Sequence, residues 1–160
     1  MLRAVLAAFC CLSISAHAAE PARFLFKLLR PSGETVVVAE GDFELHSAGS
    51  YSVRYYSPSS SPDGAPVFAS GLILPRTGSI EKVILGDVNA DAMDEVIVVF
   101  RPAGGGDGFA AQVFEMVDEQ IAPLFSLSDL VSDADLMETL RERGARHAAL
   151  TRRQAQRVKK

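Results

Sequence analysis

The chain has 160 residues and a formal net charge of −4 at pH 7, with no tryptophan and two cysteines, Cys10 and Cys11. Residues 19–140 carry 19 acidic and seven basic side chains, whereas residues 141–160 carry one acidic and eight basic side chains. The acidic body argues against nucleic-acid binding and suits a basic partner, because complementary fields speed encounter. The basic end fits a solvated terminus, with contact to nucleic acid or anionic lipid as the alternative.

The first predicted element is a signal peptide over residues 1–18. Arg3 gives a positive start, residues 4–14 are apolar, and Ala16-His17-Ala18 places small residues where a signal peptidase reads. The apolar stretch is too short to span a bilayer, which disfavours the alternative of a retained anchor. Both cysteines lie in this segment, so the exported chain is predicted to have no disulfide and no thiol chemistry. No later stretch is more apolar, so no membrane segment is predicted either.

The middle of the chain is predicted to be an all-β domain over residues 19–131. Short apolar or alternating stretches are separated by turn residues, and each is predicted to be a strand: residues 23–28, 34–40, 50–57, 67–74, 79–85, 96–100, 109–117 and 121–127. Residues 41–47 are expected to continue the second of these strands in extended form. About eight or nine such strands with regular turns indicate an antiparallel sandwich or a barrel-like domain.

The composition turns helical after Ser132. A capping pattern and three apolar residues on one face predict a helix over residues 133–140. Beyond Gly144 the apolar stripe thins, so residues 132–160 are predicted to form a C-terminal helix and a basic tail that is frayed or disordered.

An acidic turn precedes the strand over residues 96–100. Asp87, Asn89, Asp91 and Glu95 alternate oxygen-bearing side chains as Ca²⁺-binding loops do. However, Ala92 stands where such loops usually have a glycine for a positive φ. The alternative is an Asx-rich turn whose side chains bind its own backbone N–H groups. Both interpretations remain open, and no other cofactor is expected.

A glycine-rich segment follows the same strand. Gly104-Gly105-Gly106-Asp107-Gly108 is not a phosphate-binding loop, because such loops need a Lys and a Ser or Thr before a helix. Here a predicted strand follows. The segment is either a flexible hairpin connection or a slim loop that a rigid strand presents to a partner.

Five motifs in one order resemble the periplasmic inhibitors of invertebrate-type (I-type) lysozyme. They are Glu34-Thr35-Val36-Val37-Val38-Ala39-Glu40-Gly41-Asp42, Gly49-Ser50-Tyr51-Ser52-Val53-Arg54, Gly78-Ser79-Ile80-Glu81-Lys82, Gly86-Asp87-Val88-Asn89-Ala90-Asp91 and Glu95-Val96-Ile97-Val98-Val99. The resemblance implies a signal peptide, an antiparallel β fold that is often a homodimer, and no enzymatic activity. It also implies a protein partner, I-type lysozyme, whose substrate cleft an exposed loop plugs.

The resemblance assigns partner binding to the glycine-rich segment and its flanks, which are Arg101, Gly104, Gly105, Gly106, Asp107, Gly108 and Phe109. In the family this loop carries Ser-Gly-x-Tyr, and its place here is Gly105-Gly106-Asp107-Gly108. Gly106 is kept, but both hydroxyls are replaced by glycine, and Phe109 offers only an aromatic ring. The resemblance therefore implies a lower affinity for the lysozyme than in family members that keep both hydroxyls.

Two other functions are consistent with the residues. One is an exported, Ca²⁺-stabilised β module that binds another partner. The other is a cell-wall hydrolase using the carboxylate pair Asp94-Glu95 or Asp118-Glu119. His46 and His147 are far apart and match no catalytic pattern, so the chain is predicted not to be an enzyme.

Overall fold

A computed structural model describes residues 23–30, 33–61, 64–104, 108–130 and 136–158. The predicted signal peptide lies outside the described residues, and so do residues 105–107 of the glycine-rich segment. Within the described ranges, none of the helical structure has the length and apolar character needed to cross a membrane.

The first sheet has four antiparallel strands in chain order: β1 (Leu25–Leu29), β2 (Thr35–Glu40), β3 (Ala48–Ser57) and β4 (Val67–Thr77). Alternate residues point to opposite faces, as the two-residue period of a strand requires. Val36, Val38 and Val53 face inward and are fully buried. The opposite face leaves large apolar side chains in solvent, including Leu25 and Ile73.

The second sheet continues the same up-and-down order with β5 (Ser79–Gly86), β6 (Glu95–Arg101), β7 (Phe109–Val117) and β8 (Gln120–Leu130). Every residue of β6 except Arg101 is buried. This confirms that the apolar run is a strand covered on both faces, because neither side alternates with polar residues.

Sheet two is covered by sheet one on one face and by helix α1 (Leu136–Val158) on the other. Val96, Val98 and Phe100 belong to the core between the sheets. Ile97 and Val99 belong to a second core, which includes Leu136 and Leu140 of α1. The predicted all-β fold with a C-terminal helix is confirmed.

Two details of the first sheet differ from the sequence prediction. Strand β4 does not end at Leu74 but runs through Pro75, which pairs with Ser50. Proline is tolerated there because β4 is the edge of its sheet. Residues 41–47 were expected to be extended, but they form a loop closed by an isolated bridge between Leu45 and Ala48.

Helix α1 passes through Gly144 without interruption, although the glycine was expected to precede a frayed tail. A Cβ at Gly144 would lie 1.9 Å from the carbonyl oxygen of Val88. Glycine therefore lets the helix pack directly on the backbone before β6, which offsets its helix penalty of roughly 1 kcal/mol. On either side of Gly144, Glu142 and Arg146 form an i,i+4 ion pair at 3.5 Å.

The strand order places the loops at two opposite ends of the sandwich. The loop end, as we name it, has the Phe43 loop (residues 41–47), Gly78 and the glycine-rich loop (residues 102–108), of which residues 102–104 and 108 are described. The turn end has the acidic turn (residues 87–94) and the hairpin turn at Asp118. The two features that the sequence singled out therefore lie at opposite ends of the molecule.

Candidate partner-binding site

The base of the glycine-rich loop is held by the side chain of Arg101, the last residue of β6. Its Nε and one terminal nitrogen each donate to a carboxylate oxygen of Glu81 at 3.1 Å. The same guanidinium lies over the ring of Phe109, with its carbon 4.9 Å from the ring centre. An exposed ion pair and a cation–π contact contribute modestly, each about 1 kcal/mol or less. Together they join the two strand ends that carry the loop.

Phe109 is the first residue of β7, and its ring belongs to the base of the loop. The side chain is half-buried and packs against the core between sheet two and α1. Part of the ring that was predicted to bind the partner therefore packs inside the protein, and the guanidinium of Arg101 lies over it.

The described residues of the glycine-rich loop have little side-chain bulk. Gly104 has φ of 114°, with no heavy atom within 4 Å of the position that a Cβ would take. The positive φ favours glycine, and Gly104 projects into open surroundings. Gly108 is half-buried beside Phe109, while Gly105, Gly106 and Asp107 lie outside the described residues.

Gly78 joins the glycine-rich loop to the Phe43 loop. Its N–H donates to the carbonyl oxygen of Ser47 at 2.7 Å. A Cβ on Gly78 would lie 2.1 Å from the carbonyl oxygen of Arg101 and 2.9 Å from Cα of Pro102. With φ of 102°, the position requires glycine on both steric and conformational grounds.

A buried ion pair lies beneath this junction. The Arg76 side chain is fully buried, and its terminal nitrogen lies 3.5 Å from Oε1 of Glu40, whose side chain is 3% exposed. Oε1 of Glu40 also accepts a hydrogen bond from the N–H of Ile80 at 3.4 Å. The pair connects the ends of β2 and β4 with the start of β5, so it ties the two sheets together at the loop end.

The Arg76 guanidinium also satisfies backbone carbonyls around it. It donates to Leu45 (3.1 Å), Ser50 (3.4 Å), His46 and Gly78. Sequence reasoning placed Arg76 in a simple turn and missed this role, because its partners lie up to 31 positions away along the chain. No local pattern marks such a residue.

The side chains of the acidic turn bind the backbone of the turn itself. Asp87 accepts from the N–H groups of Ala90 at 2.7 Å and Ala92 at 3.0 Å, through its two carboxylate oxygens. Asn89 accepts from the N–H of Asp91 at 2.9 Å. Ala90 and Ala92 have φ of 62° and 68°, so both take the left-handed conformation, and Ala92 does so at the position where calcium-binding loops usually have a glycine. These bonds are those of the Asx-rich turn.

Glu95 anchors this turn to the core. Its side chain accepts from the N–H of Val88 at 2.8 Å and from the Asn89 amide at 3.0 Å. Burial raises the pKa of Glu95 to about 6, and the negative charges of Asp91 and Asp87 act in the same direction. Partial desolvation raises the pKa of Asp87, but hydrogen bonds from the backbone N–H groups of the turn, Ala92 and Ala90 first among them, together outweigh it, so the pKa of Asp87 is lowered.

The calcium prediction concerns Asp87, Asn89, Asp91 and Glu95. Among the described residues, no group of three or more His, Cys, Asp or Glu side chains is arranged to hold a metal ion. The carboxylates of the turn are instead directed at backbone N–H groups. Calcium binding stays a prediction, which titration can test.

The residues considered for hydrolase chemistry are spread over the molecule. His46 lies at the loop end, with Nδ1 3.6 Å from a Glu40 oxygen. His147 lies on α1, where its ring centre is 6.2 Å from that of Phe125. Glu119 is exposed and accepts from the hydroxyl of Ser57 at 2.9 Å. The described residues therefore bring no histidine together with a predicted carboxylate pair.

Comparison with known proteins decides between these interpretations. A family model described as periplasmic lysozyme inhibitor of I-type lysozyme matches residues 22–144. The chain belongs to this family. The match ends at Gly144, so the last turns of α1 lie beyond it.

Solved structures agree with this assignment. A crystal structure of the I-type lysozyme inhibitor of Aeromonas hydrophila is 35% identical, with a TM-score of 0.65, covering 74% of this chain and 98% of that chain. A second, of the A. hydrophila inhibitor in complex with Meretrix lusoria lysozyme, is 36% identical, with a TM-score of 0.64, covering 74% and 95%. A search of curated proteins finds no match.

The family confirms the main functional prediction. The chain is a periplasmic inhibitor of I-type lysozyme, its partner is a protein, and it is not an enzyme. The hydrolase interpretation is thereby replaced.

Proposed function

We propose that this inhibitor places its glycine-rich loop in the substrate cleft of an I-type lysozyme. The observation that supports the proposal is the clamp at the loop base, where Arg101 binds Glu81 and covers the ring of Phe109. A loop that follows a strand buried as far as Phe100 and has a fixed base loses little entropy when it binds. Its bare glycines let it enter a narrow cleft.

The negative charge of the inhibitor supports a basic surface on the lysozyme as its binding partner. The body over residues 19–140 is strongly acidic, and a basic lysozyme surface complements it. At the loop end the buried carboxylate of Glu40 is matched by Arg76. The electrostatic attraction that guides the lysozyme therefore comes from the exposed acidic side chains of the body rather than from the Glu40–Arg76 pair.

We infer that residues 1–18 direct export and are removed. The charged start, short apolar core and Ala16-His17-Ala18 site support this inference. Mass spectrometry of the protein from a periplasmic extract should give a chain that starts at Ala19. A mass that includes Met1 would contradict the inference.

We also propose a homodimer through the outer face of sheet one. Helix α1 covers sheet two, whereas the outer face of sheet one exposes Leu25, Leu29 and Ile73, each more than half in solvent. Burying such a face in a second copy is favourable by roughly 25 cal/mol per Å². Light scattering should show a dimer that Ile73→Glu converts to a monomer, and a monomeric unaltered protein would refute the proposal.

The inhibitory function is tested by lysis of peptidoglycan. The exported chain at micromolar concentration should slow lysis by an I-type lysozyme and leave a hen-egg-type lysozyme unaffected. A variant with residues 104–108 replaced by a two-residue Asn-Gly turn should fold and fail to inhibit, because it keeps the hairpin but removes the loop. Equal inhibition by this variant would show that another surface blocks the enzyme.

A further inference from the structure

Phe43 is the most exposed large apolar side chain among the described residues, with 98% of its surface in solvent. Its backbone has φ of 61°, in the left-handed region that bulky residues rarely adopt. The ring packs on nothing that would compensate for this conformation. Strained backbone of this kind concentrates where a structure presents a functional group.

The Phe43 loop is held rigid by side chains on both sides of Phe43. The Glu44 carboxylate accepts from the Ser50 hydroxyl at 2.9 Å and from the Ser50 N–H. Arg23 donates to the carbonyl oxygens of Gly41 at 2.8 Å and Glu44 at 2.7 Å. These bonds fix the backbone on each side of the exposed ring.

The buried Arg76 supports the same loop from below. It donates to the carbonyl oxygens of Leu45 and His46, which follow Glu44 in the Phe43 loop. A fully buried guanidinium is therefore used to hold a surface loop whose tip is a solvent-exposed phenylalanine. Such an arrangement pre-organises the ring, so that little freedom is lost on binding.

The Phe43 loop is directly continuous with the glycine-rich loop. Ser47 ends the first and is hydrogen-bonded to Gly78, which packs against Arg101 and Pro102 at the start of the second. A partner that accepts the glycine-rich loop therefore meets the surface beside it. Leu45, with 72% of its surface exposed, extends the apolar tip.

We propose that Phe43 is a second contact with the lysozyme, an aromatic anchor that fits an apolar depression on the rim of the substrate cleft. The proposal rests on the proposed function, since it assumes that the loop end faces the enzyme. Rigid aromatic side chains that are desolvated in a partner pocket carry much of the affinity of protein interfaces. A ring here compensates in part for the hydroxyls that the glycine-rich loop lacks.

The test measures binding of the exported chain to an I-type lysozyme by titration calorimetry. Phe43→Ala should raise Kd by roughly 10- to 100-fold, the range of an interface hot spot. Phe43→Asn should give the same loss, because asparagine tolerates the positive φ and keeps the loop while removing the ring. Leu150→Ala, which removes an exposed apolar side chain from α1, is the matched control and should leave Kd unchanged.

The outcomes separate the two proposals. If the unaltered chain binds lysozyme and both Phe43 variants bind within twofold of it, the second contact is refuted while the inhibitory function stands. If the unaltered chain does not bind, the proposed function fails as well. A loss of binding in both variants, with an unchanged melting temperature, supports the contact.

Discussion

The guanidinium of Arg101 lies 4.9 Å from the ring centre of Phe109, across the base of the glycine-rich loop. The two residues are the last of β6 and the first of β7. The contact therefore fixes the separation of the strand ends from which the loop projects. It is the main physical reason to expect a pre-organised loop rather than a flexible hairpin connection.

Replacing Arg101 with alanine should weaken inhibition more than it weakens the fold. The ion pair with Glu81 is exposed, with side chains 44% and 38% in solvent, so its loss should lower the free energy of unfolding by less than about 1 kcal/mol. The inhibition constant for an I-type lysozyme should rise about tenfold, because the loop must then be ordered on binding. Glu81→Gln is the control, since it keeps Arg101 over the ring and should cost less affinity. An unchanged inhibition constant for Arg101→Ala would refute the clamp.

Restoring the family's hydroxyls should strengthen inhibition. The double substitution Gly105→Ser and Gly108→Tyr recreates Ser-Gly-x-Tyr, and each hydroxyl can donate to a catalytic carboxylate of the lysozyme. Such bonds contribute about 1.5–3 kcal/mol each, so the inhibition constant should fall by about two to four orders of magnitude. Gly105→Ala with Gly108→Phe adds bulk without hydroxyls and should not reproduce the gain. Equal gains in the two variants would show that bulk, not hydrogen bonding, matters.

The buried pair Glu40–Arg76 should matter far more for stability than the exposed pair Glu81–Arg101. Arg76→Met leaves a buried carboxylate without its charge partner and removes donors from several carbonyl groups. We expect a loss of about 3–5 kcal/mol in the free energy of unfolding by urea. Arg101→Met, at the surface pair, should lose less than about 1 kcal/mol. Similar losses at both sites would contradict the burial of Arg76.

Stability should fall as the pH rises through the titration of Glu95. Burial raises its pKa from 4.5 to about 6, so the folded state holds the proton more tightly than the unfolded state. The contribution is present in full below pH 4.5 and is lost as the pH rises through about 6, the pKa of Glu95 in the folded state. Urea unfolding at several pH values should show this slope, and Glu95→Gln should remove it. A slope that survives in Glu95→Gln would assign it to another group.

Calcium titration separates the two interpretations of the acidic turn. If the carboxylates of Asp87 and Asp91 serve only the backbone, chelator-treated protein should give no heat with Ca²⁺ and no change in melting temperature. A saturable heat that Asp87→Asn abolishes would instead establish the calcium site.

Much of the fold could be predicted because its signals are local. The apolar run of β6 is too short for a buried helix, and its lack of alternation predicts a strand between two layers. Asp118 and Glu119 form the hairpin turn expected between two such strands, both with positive φ.

The remainder depends on contacts that are distant in sequence. Gly144 resembles a helix terminator, and only the neighbouring Val88 backbone shows why the helix passes through it. No local motif marks Arg76 or Phe43. The role of each depends on the Phe43 loop, whose conformation is held by hydrogen bonds from Arg23 and to Glu44. The sequence also could not choose between the calcium and Asx-turn interpretations, since both use the same oxygens.

The central claim is that the loop end occupies the substrate cleft. Its most direct test is the Kd of the exported chain for an I-type lysozyme, measured with increasing concentrations of a peptidoglycan-derived oligosaccharide that fills the cleft. The account predicts that the apparent Kd rises in proportion to the oligosaccharide, as competition for one site requires. An apparent Kd that does not change at saturating oligosaccharide would contradict it.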